Sequence, residues 1–316
     1  MTEPTCIIVI GNQDAGERAR LTDIAAPAEL VFGPDIEAVR SELGRAQGMI
    51  GSLPGELLAE APNLRWMHSP AAGVDRELSP QMMERDIVLT SSAGNGGIPL
   101  AEHAMLLMLM LNRSATRWFR AQQAHEWERF THPELNGLTV GIVGLGNAGS
   151  DLALKANAFH MRVLGFRRRS DIPVANVDRI YRREEFHAFL GECDFVVVTS
   201  PNTPATAGLF DAGAFAAMKP TAHFVCISRG GIADDDALLD ALRHGRIAGA
   251  GLDAHSFEPL PADSPFWDLP NVIVTPHNGA TTPGTAQRGR AIVADNLHRF
   301  VTGQPLRNVV DKVAGY

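Results

Sequence analysis

The stretch Leu138-Thr139-Val140-Gly141-Ile142-Val143-Gly144-Leu145-Gly146-Asn147-Ala148-Gly149-Ser150 runs from a strand-like segment straight into a glycine-rich turn, and a helical stretch follows from Ser150. Its three spaced glycines have separate tasks. Gly144 makes a tight turn, Gly146 lets backbone approach a pyrophosphate, and Gly149 permits close packing of the helix. The helix N-terminus then offers unpaired N–H groups to an anion. A bare GxGxxG also fits an ordinary glycine-rich turn. The strand before it and the helix after it favour a dinucleotide site, with Asn147 and Ala148 inside the turn.

The next strand-like segment, 161–166, ends in Arg167-Arg168-Arg169-Ser170, and Arg167 stands eighteen residues after Gly149. In NAD-specific sheets an Asp or Glu about 20 residues on accepts from the ribose 2′-hydroxyl. A carboxylate there would repel a 2′-phosphate, whereas guanidinium and hydroxyl groups bind one through charge-assisted hydrogen bonds. NADP(H) is therefore the preferred cofactor and NAD(H) the alternative. Without the glycine fingerprint the same residues would read as a solvated basic turn.

Outward from this unit, short apolar runs alternate with helical stretches, the pattern of parallel sheets covered by helices. Strands are expected at 6–10, 29–32, 49–51, 64–68 and 87–90, with helices at 15–25, 36–43 and 56–60. A second series has strands at 139–143, 163–166, 195–199, 223–227, 248–252 and 272–275, the six of a full dinucleotide-binding sheet. Long amphipathic segments occupy 100–121 and 283–301. The fold class is α/β, with two Rossmann-like or flavodoxin-like doubly wound parallel-sheet domains and an active-site cleft between them. A discontinuous substrate-binding domain takes 1–100 plus 290–316, and a dinucleotide-binding domain takes 101–289.

The composition excludes several classes. At 316 residues, 45% hydrophobic and 20% charged, the chain is ordinary for a globular protein, and its net charge of −8 has the wrong sign for nucleic-acid binding. The cysteines, Cys6, Cys193 and Cys226, match neither a zinc site nor a redox pair, which suits a reducing compartment. The longest later apolar run, 104–111, falls far short of the roughly 20 residues that span a bilayer. No secretory leader is recognisable, so a cytoplasmic protein without membrane contact is expected. No lysine follows a glycine, which rules out a Walker A motif.

Three further stations follow the fingerprint. Cys226-Ile227-Ser228-Arg229-Gly230-Gly231 closes one expected strand, ahead of Asp234, Asp235 and Asp236. That acidic triplet reads as helix capping rather than as a metal site. Gly249-Ala250-Gly251-Leu252-Asp253 precedes Glu258-Pro259, and Thr275-Pro276-His277-Asn278-Gly279 closes another strand. Together they bring an arginine, a carboxylate and a histidine to the carboxyl edge of one sheet, where ligands of open α/β sheets bind.

With Ala72-Gly73-Val74-Asp75 and Ala101-Glu102-His103, this ordered set resembles the D-isomer-specific 2-hydroxyacid dehydrogenase family, which includes glyoxylate/hydroxypyruvate reductases, phosphoglycerate dehydrogenases and formate dehydrogenases. The likeness runs from about Leu64 to the end, while the first 45 residues match only in pattern. The resemblance implies that Arg229 holds the carboxylate of a small 2-oxo or 2-hydroxy acid, that His277 is the acid/base, and that Glu258 hydrogen-bonds His277. It implies that the amides of Ala72, Gly73 and Val74 complete the carboxylate grip. It places Pro201, Thr206, Ile227, Ser228, Asp253 and Gly279 at the cofactor, beside the glycine turn and the arginines. A two-fold homodimer built through 113–135, with Trp118 and Trp127, is also implied. So is the absence of a regulatory extension after Tyr316.

Arg167 departs from the acidic residue of NAD-dependent relatives, and Ala254-His255 stands where many have Val-Phe. Pocket selectivity is expected from His68, Ser69, Asn95 and Trp267. The leading reading is an NADPH-dependent glyoxylate/hydroxypyruvate-type reductase. Its rivals are an NAD-dependent, phosphoglycerate-like dehydrogenase and a corepressor-like nucleotide sensor.

Overall fold

A computed structural model describes residues 4–168 and 172–316, and the chain divides into two compact units. The first, Met1–Asn95 with Thr282–Tyr316, is built on β1 (Cys6–Ile10), β2 (Glu29–Gly33), β3 (Ala46–Ile50), β4 (Trp66–Ser69) and β5 (Val88–Ser91). All pair in parallel in the order β2-β1-β3-β4-β5, the flavodoxin-like arrangement. β1 is an unbroken apolar run because both of its faces are covered, so no polar alternation is needed. Helix α1 (Ala15–Ala25) starts where the Asp14 carboxylate accepts from the Glu17 amide at 2.9 Å, and α2 (Pro80–Glu84) follows Ser79 in the same way. The helices expected at 36–43 and 56–60 form tighter 3-10 turns, Glu37–Arg45 and Gly55–Glu60, and neither has a side-chain cap at its start.

The chain returns to this unit through the helix Pro283–Thr302, capped by Thr282 and stopped by Gly303 at φ 68°. Leu297 of that helix is fully buried among Ile7, Val9 and Trp66, and Phe300 stacks on Trp66 with ring centroids 4.7 Å apart. Burial of one such leucine contributes about 2 kcal/mol.

The second unit, Gly96–Thr281, contains α3 (Gly97–Asn112), α4 (Ala115–Ala124), α5 (Asn147–Ala158), α6 (Phe186–Glu192), α7 (Ala212–Ala217) and α8 (Asp235–Arg243). Its strands are β6 (Thr139–Val143), β7 (Arg162–Phe166), β8 (Arg179–Tyr181), β9 (Phe195–Val198), β10 (His223–Cys226), β11 (Gly249–Leu252) and β12 (Val272–Val274). The order β12-β11-β10-β9-β6-β7-β8 is that of a dinucleotide-binding sheet extended by one strand, with β6 and β9 flanking the point where the order reverses. Period-two alternation sorts the side chains. Val196, Val198 and Phe224 pack with Phe189, Phe215 and Leu238 from α6, α7 and α8, while Phe195, Val197 and Val225 pack with Met108 and Leu152 from α3 and α5.

Three differences from the sequence reading have physical causes. β8 makes seven strands rather than six; at three residues it is too short to show alternation, and it is recognisable only from its pairing with β7. The segment 100–121 is two helices, broken at Ser114, which takes a left-handed φ of 51° without a glycine or proline to signal it. The units divide at Asn95/Gly96 and Thr281/Thr282, earlier than the expected 100/101 and 289/290, because α3 lies wholly in the second unit and Pro283–Thr302 wholly in the first. Among the described residues no helix is long and apolar enough to cross a membrane.

Candidate active site

β6 delivers the glycine turn to the carboxyl edge of the sheet. Gly144 has φ 100°, and a Cβ there would lie 2.7 Å from the Ser200 nitrogen. A Cβ on Gly149 would sit 2.0 Å from the Gly144 carbonyl oxygen, so helix and strand could not close against each other. Gly146 differs, since its Cβ would meet nothing within 4 Å. Protein packing leaves that space open. α5 begins directly after it, at Asn147 and Ala148, with no side-chain cap over its first amides. An open glycine face before an uncapped helix N-terminus fits a dinucleotide pyrophosphate. The Thr199 hydroxyl donates to the Gly144 carbonyl and ties the turn to β9.

Around that cradle, Pro201 and Thr206 lie on the loop after β9, where the Thr206 hydroxyl donates to the Pro201 carbonyl at 2.7 Å. The hydroxyl oxygens of Ser200 and Ser228 are buried and partnerless among the described residues, as is Arg167 Nε. Buried polar atoms of this kind call for a partner. Arg167 follows β7 and donates from its terminal nitrogen to the Ile172 carbonyl. Arg168 is exposed, whereas Arg169 and Ser170 lie outside the described residues.

β10 leads through buried Ile227 and through Ser228 to Arg229, whose Nη1 donates to the Ser228 carbonyl at 2.8 Å. The loop is held from several sides. Asn202 donates to the Gly230 carbonyl at 3.0 Å, and the Gly231 amide donates to Ser256 at 3.2 Å. Gly230 has no room for a side chain, its Cβ falling 2.1 Å from the His255 carbonyl. Asp234 caps α8 by accepting from the Ala237 amide at 2.9 Å, the structural use expected of the acidic triplet.

β12 leads to His277, which takes the left-handed region at φ 49°, a conformation costing on the order of 1 kcal/mol for a residue with a Cβ. Its Nδ1 lies 2.8 Å from both Glu258 oxygens. A carboxylate can only accept, so Nδ1 carries the proton toward Glu258 and Nε2 points its own valence elsewhere. Burial raises the Glu258 carboxyl, but hydrogen bonds from the His255 amide and from His277 outweigh it and hold the group below the ordinary carboxylate range. His255 adds a second brace, its Nε2 donating to the Thr275 carbonyl at 2.9 Å.

Behind this pair lies Asp253, expected beside a nicotinamide carboxamide. Its side chain is fully buried and accepts from the Thr275 hydroxyl at 2.7 Å, the Asn278 amide at 3.1 Å and the Gly279 amide at 3.0 Å. Burial raises this carboxyl too, yet hydrogen bonds from His103, Thr275 and Gly279 leave it well below the ordinary range. Gly279 is itself buried against the same carboxylate. Arg229, Glu258 and His277 thus all stand at the carboxyl edge of one sheet, after β10, β11 and β12.

In the first unit, the loop after β4 leaves Ala72 exposed, Gly73 half-buried and Val74 in the core. The amides of these three donate to no main-chain acceptor among the described residues. His68 does not line a pocket as expected. It is fully buried, 2.8 Å from Thr90 Oγ1 and 3.2 Å from Ser92 Oγ, and burial pushes its imidazole down to about 4. Ser69 is buried as well, donating to Glu77 at 3.0 Å. Thr275 and Asn202 are not among the expected site residues, the sequence leaves the role of His255 open between the cleft and a packing position, and His103 has no expected task.

A family model described as D-isomer specific 2-hydroxyacid dehydrogenase, NAD binding domain, matches residues 105–279. The D-3-phosphoglycerate dehydrogenase of Archaeoglobus fulgidus is 34% identical over 264 residues, 81% of this chain and 49% of that protein. The chain spans about half the length of the phosphoglycerate dehydrogenases it matches. The glyoxylate/hydroxypyruvate reductase B of Pectobacterium carotovorum is 33% identical over 305 residues, 93% of this chain and 94% of that protein. Among solved structures, an NADPH-dependent glyoxylate/hydroxypyruvate reductase from Sinorhizobium meliloti, in complex with NADP and sulfate, aligns with a TM-score of 0.86 at 32% identity, covering 99% of this chain and 100% of that one.

Proposed function

The chain belongs to the D-isomer-specific 2-hydroxyacid dehydrogenase family, and from that premise we propose that it reduces a small 2-oxo acid of the glyoxylate or hydroxypyruvate kind to the 2-hydroxy acid, using NADPH. The observation that carries the reading is the His277–Glu258 pair, 2.8 Å apart and at the same sheet edge as Arg229. NADPH, held at the glycine turn, would supply the hydride. Arg229 pairs with the substrate carboxylate and polarises the 2-oxo group. His277 gives its Nε2 proton to the carbonyl oxygen as the carbon is reduced. Glu258 holds the ring by Nδ1 and offsets the positive charge that the donor carries before the transfer.

The cofactor preference rests on Arg167, whose buried Nε lacks a partner among the described residues and which stands where a carboxylate would read a 2′-hydroxyl. Steady-state oxidation of NADPH and NADH with glyoxylate, hydroxypyruvate, pyruvate and a bulkier 2-oxo acid tests the reading. Arg167→Asp is expected to lower the NADPH/NADH ratio of kcat/KM by about tenfold or more, the worth of a charge-assisted contact. An unchanged ratio would move the 2′-phosphate contact off Arg167. A phosphoglycerate-like dehydrogenase is the second reading, favoured by the Archaeoglobus relative, and would show as NADH-linked turnover of a phosphorylated substrate.

The surface around α4 favours a second copy of the chain as partner. Trp118, Phe119 and Trp127 are 41%, 53% and 93% exposed, and Trp118 leans on Phe130 and His132. Large exposed aromatics in one region mark association surfaces. Sedimentation of the intact chain should give twice the monomer mass, and Trp127→Glu with Phe119→Glu should return it to one. A wild-type monomer at micromolar concentration would refute the dimer.

A further inference from the structure

We propose that His103 is a positioning residue for this reaction, setting through Thr275 and Asp253 the left-handed turn that carries His277; the inference rests on the acid/base role proposed above. The Thr275 hydroxyl lies 2.7 Å from Asp253 Oδ1, and an ionised carboxylate only accepts, so the hydroxyl proton points at Asp253. Thr275 Oγ1 therefore accepts from His103 Nε2, 3.0 Å away, and His103 carries its proton on that nitrogen. The same His103 nitrogen is 3.4 Å from Asp253 Oδ1. Asp253 in turn receives the amides of Asn278 and Gly279, the two residues directly after His277.

The ring also shapes the surface on which the turn rests. A Cβ on Gly279 would meet Asp253 Oδ2 at 2.8 Å and His103 Cδ2 at 3.0 Å, so turn, carboxylate and imidazole are in close contact. His103 is fixed in its own right by α3, where Ala101, Ala104, Leu107 and Met108 are all fully buried. A rigid helix thus sets a ring, the ring a hydroxyl, the hydroxyl a carboxylate, and the carboxylate the amides that hold His277 at a φ it would otherwise leave. With His103 gone, Thr275 and Asp253 lose their outer brace and the turn relaxes, carrying His277 away from Glu258. The deletion need not touch the glycine cradle.

His103→Leu and His103→Gln, whose amide nitrogen reaches the place of ring Nε2, separate this from simple packing. In His103→Leu kcat should fall about tenfold or more, and His103→Gln should recover most of the loss. A readout independent of turnover is the carbon-13 titration of the Glu258 carboxyl, assigned with Glu258→Gln. It should move back toward the ordinary carboxylate range in His103→Leu but not in His103→Gln. An unmoved Glu258 titration in folded His103→Leu overturns this inference alone, as does equal impairment of the Leu and Gln variants. Wild-type turnover by His277→Ala instead removes the acid/base reading on which it rests.

Discussion

His277→Ala is expected to lose about 10³-fold in kcat while binding NADPH as tightly as the wild type. The proton it gives has no obvious second source: Nε2 has no partner among the described residues, and Nδ1 is committed to Glu258 at 2.8 Å. Single-turnover oxidation of bound NADPH, followed by its absorbance, isolates the step from product release. Glu258→Gln should lie between the two, because an amide still fixes the ring but no longer balances its charge. The pH dependence has a defined sign. The Glu258 carboxyl sits below the ordinary range, so its negative charge is in place above that range and is lost as pH falls through the lowered value. A rate that stays at the wild-type level in His277→Ala would overturn the mechanism.

Arg229→Ala should lower kcat/KM for 2-oxo acids by about 10²- to 10³-fold, the scale on which a charge-stabilising donor is missed in a transition state. The side chain leaves a loop already pinned by Asn202 at Gly230 and by Ser256 at Gly231, so its removal should spare the fold. Arg229→Lys should restore little, since an ammonium cannot present two parallel donors to a carboxylate. Melting temperature and dinucleotide affinity are the controls. Wild-type KM and kcat in the alanine variant would remove the carboxylate anchor from Arg229 altogether.

The parts of this site that were legible in the sequence are those whose chemistry demands a residue type. Gly144 and Gly149 admit no Cβ in the structure, and this requirement is what makes the fingerprint readable. Glu258 and His277 are nineteen residues apart, and only the closure of the loop between β11 and β12 makes them a pair. The braces were illegible for a related reason. An aspartate at a strand end reads the same whether it faces a ligand or, like Asp253, is sealed behind a turn, and burial is set by neighbours far along the chain. His68 failed as a pocket residue on the same ground, since Thr90, Ser92 and Asn296 enclose it from other elements. Ser114 shows the limit for backbone: it parts α3 from α4 at a left-handed φ of 51°, which a serine does not announce.

The two crossings between the units have a consequence for the order in which the protein is made. The second unit is one continuous length, 96–281, and every strand of its sheet is synthesised before the last helix. The first unit cannot finish then. Trp66 waits for Phe300, Ile7 and Val9 wait for Leu297, and Leu89 waits to accept the Val310 amide. Ile7, Val9 and Trp66 are thus covered only by residues made long after them, the reverse of simple N-to-C folding, while the core of the nucleotide-binding unit needs nothing beyond residue 281.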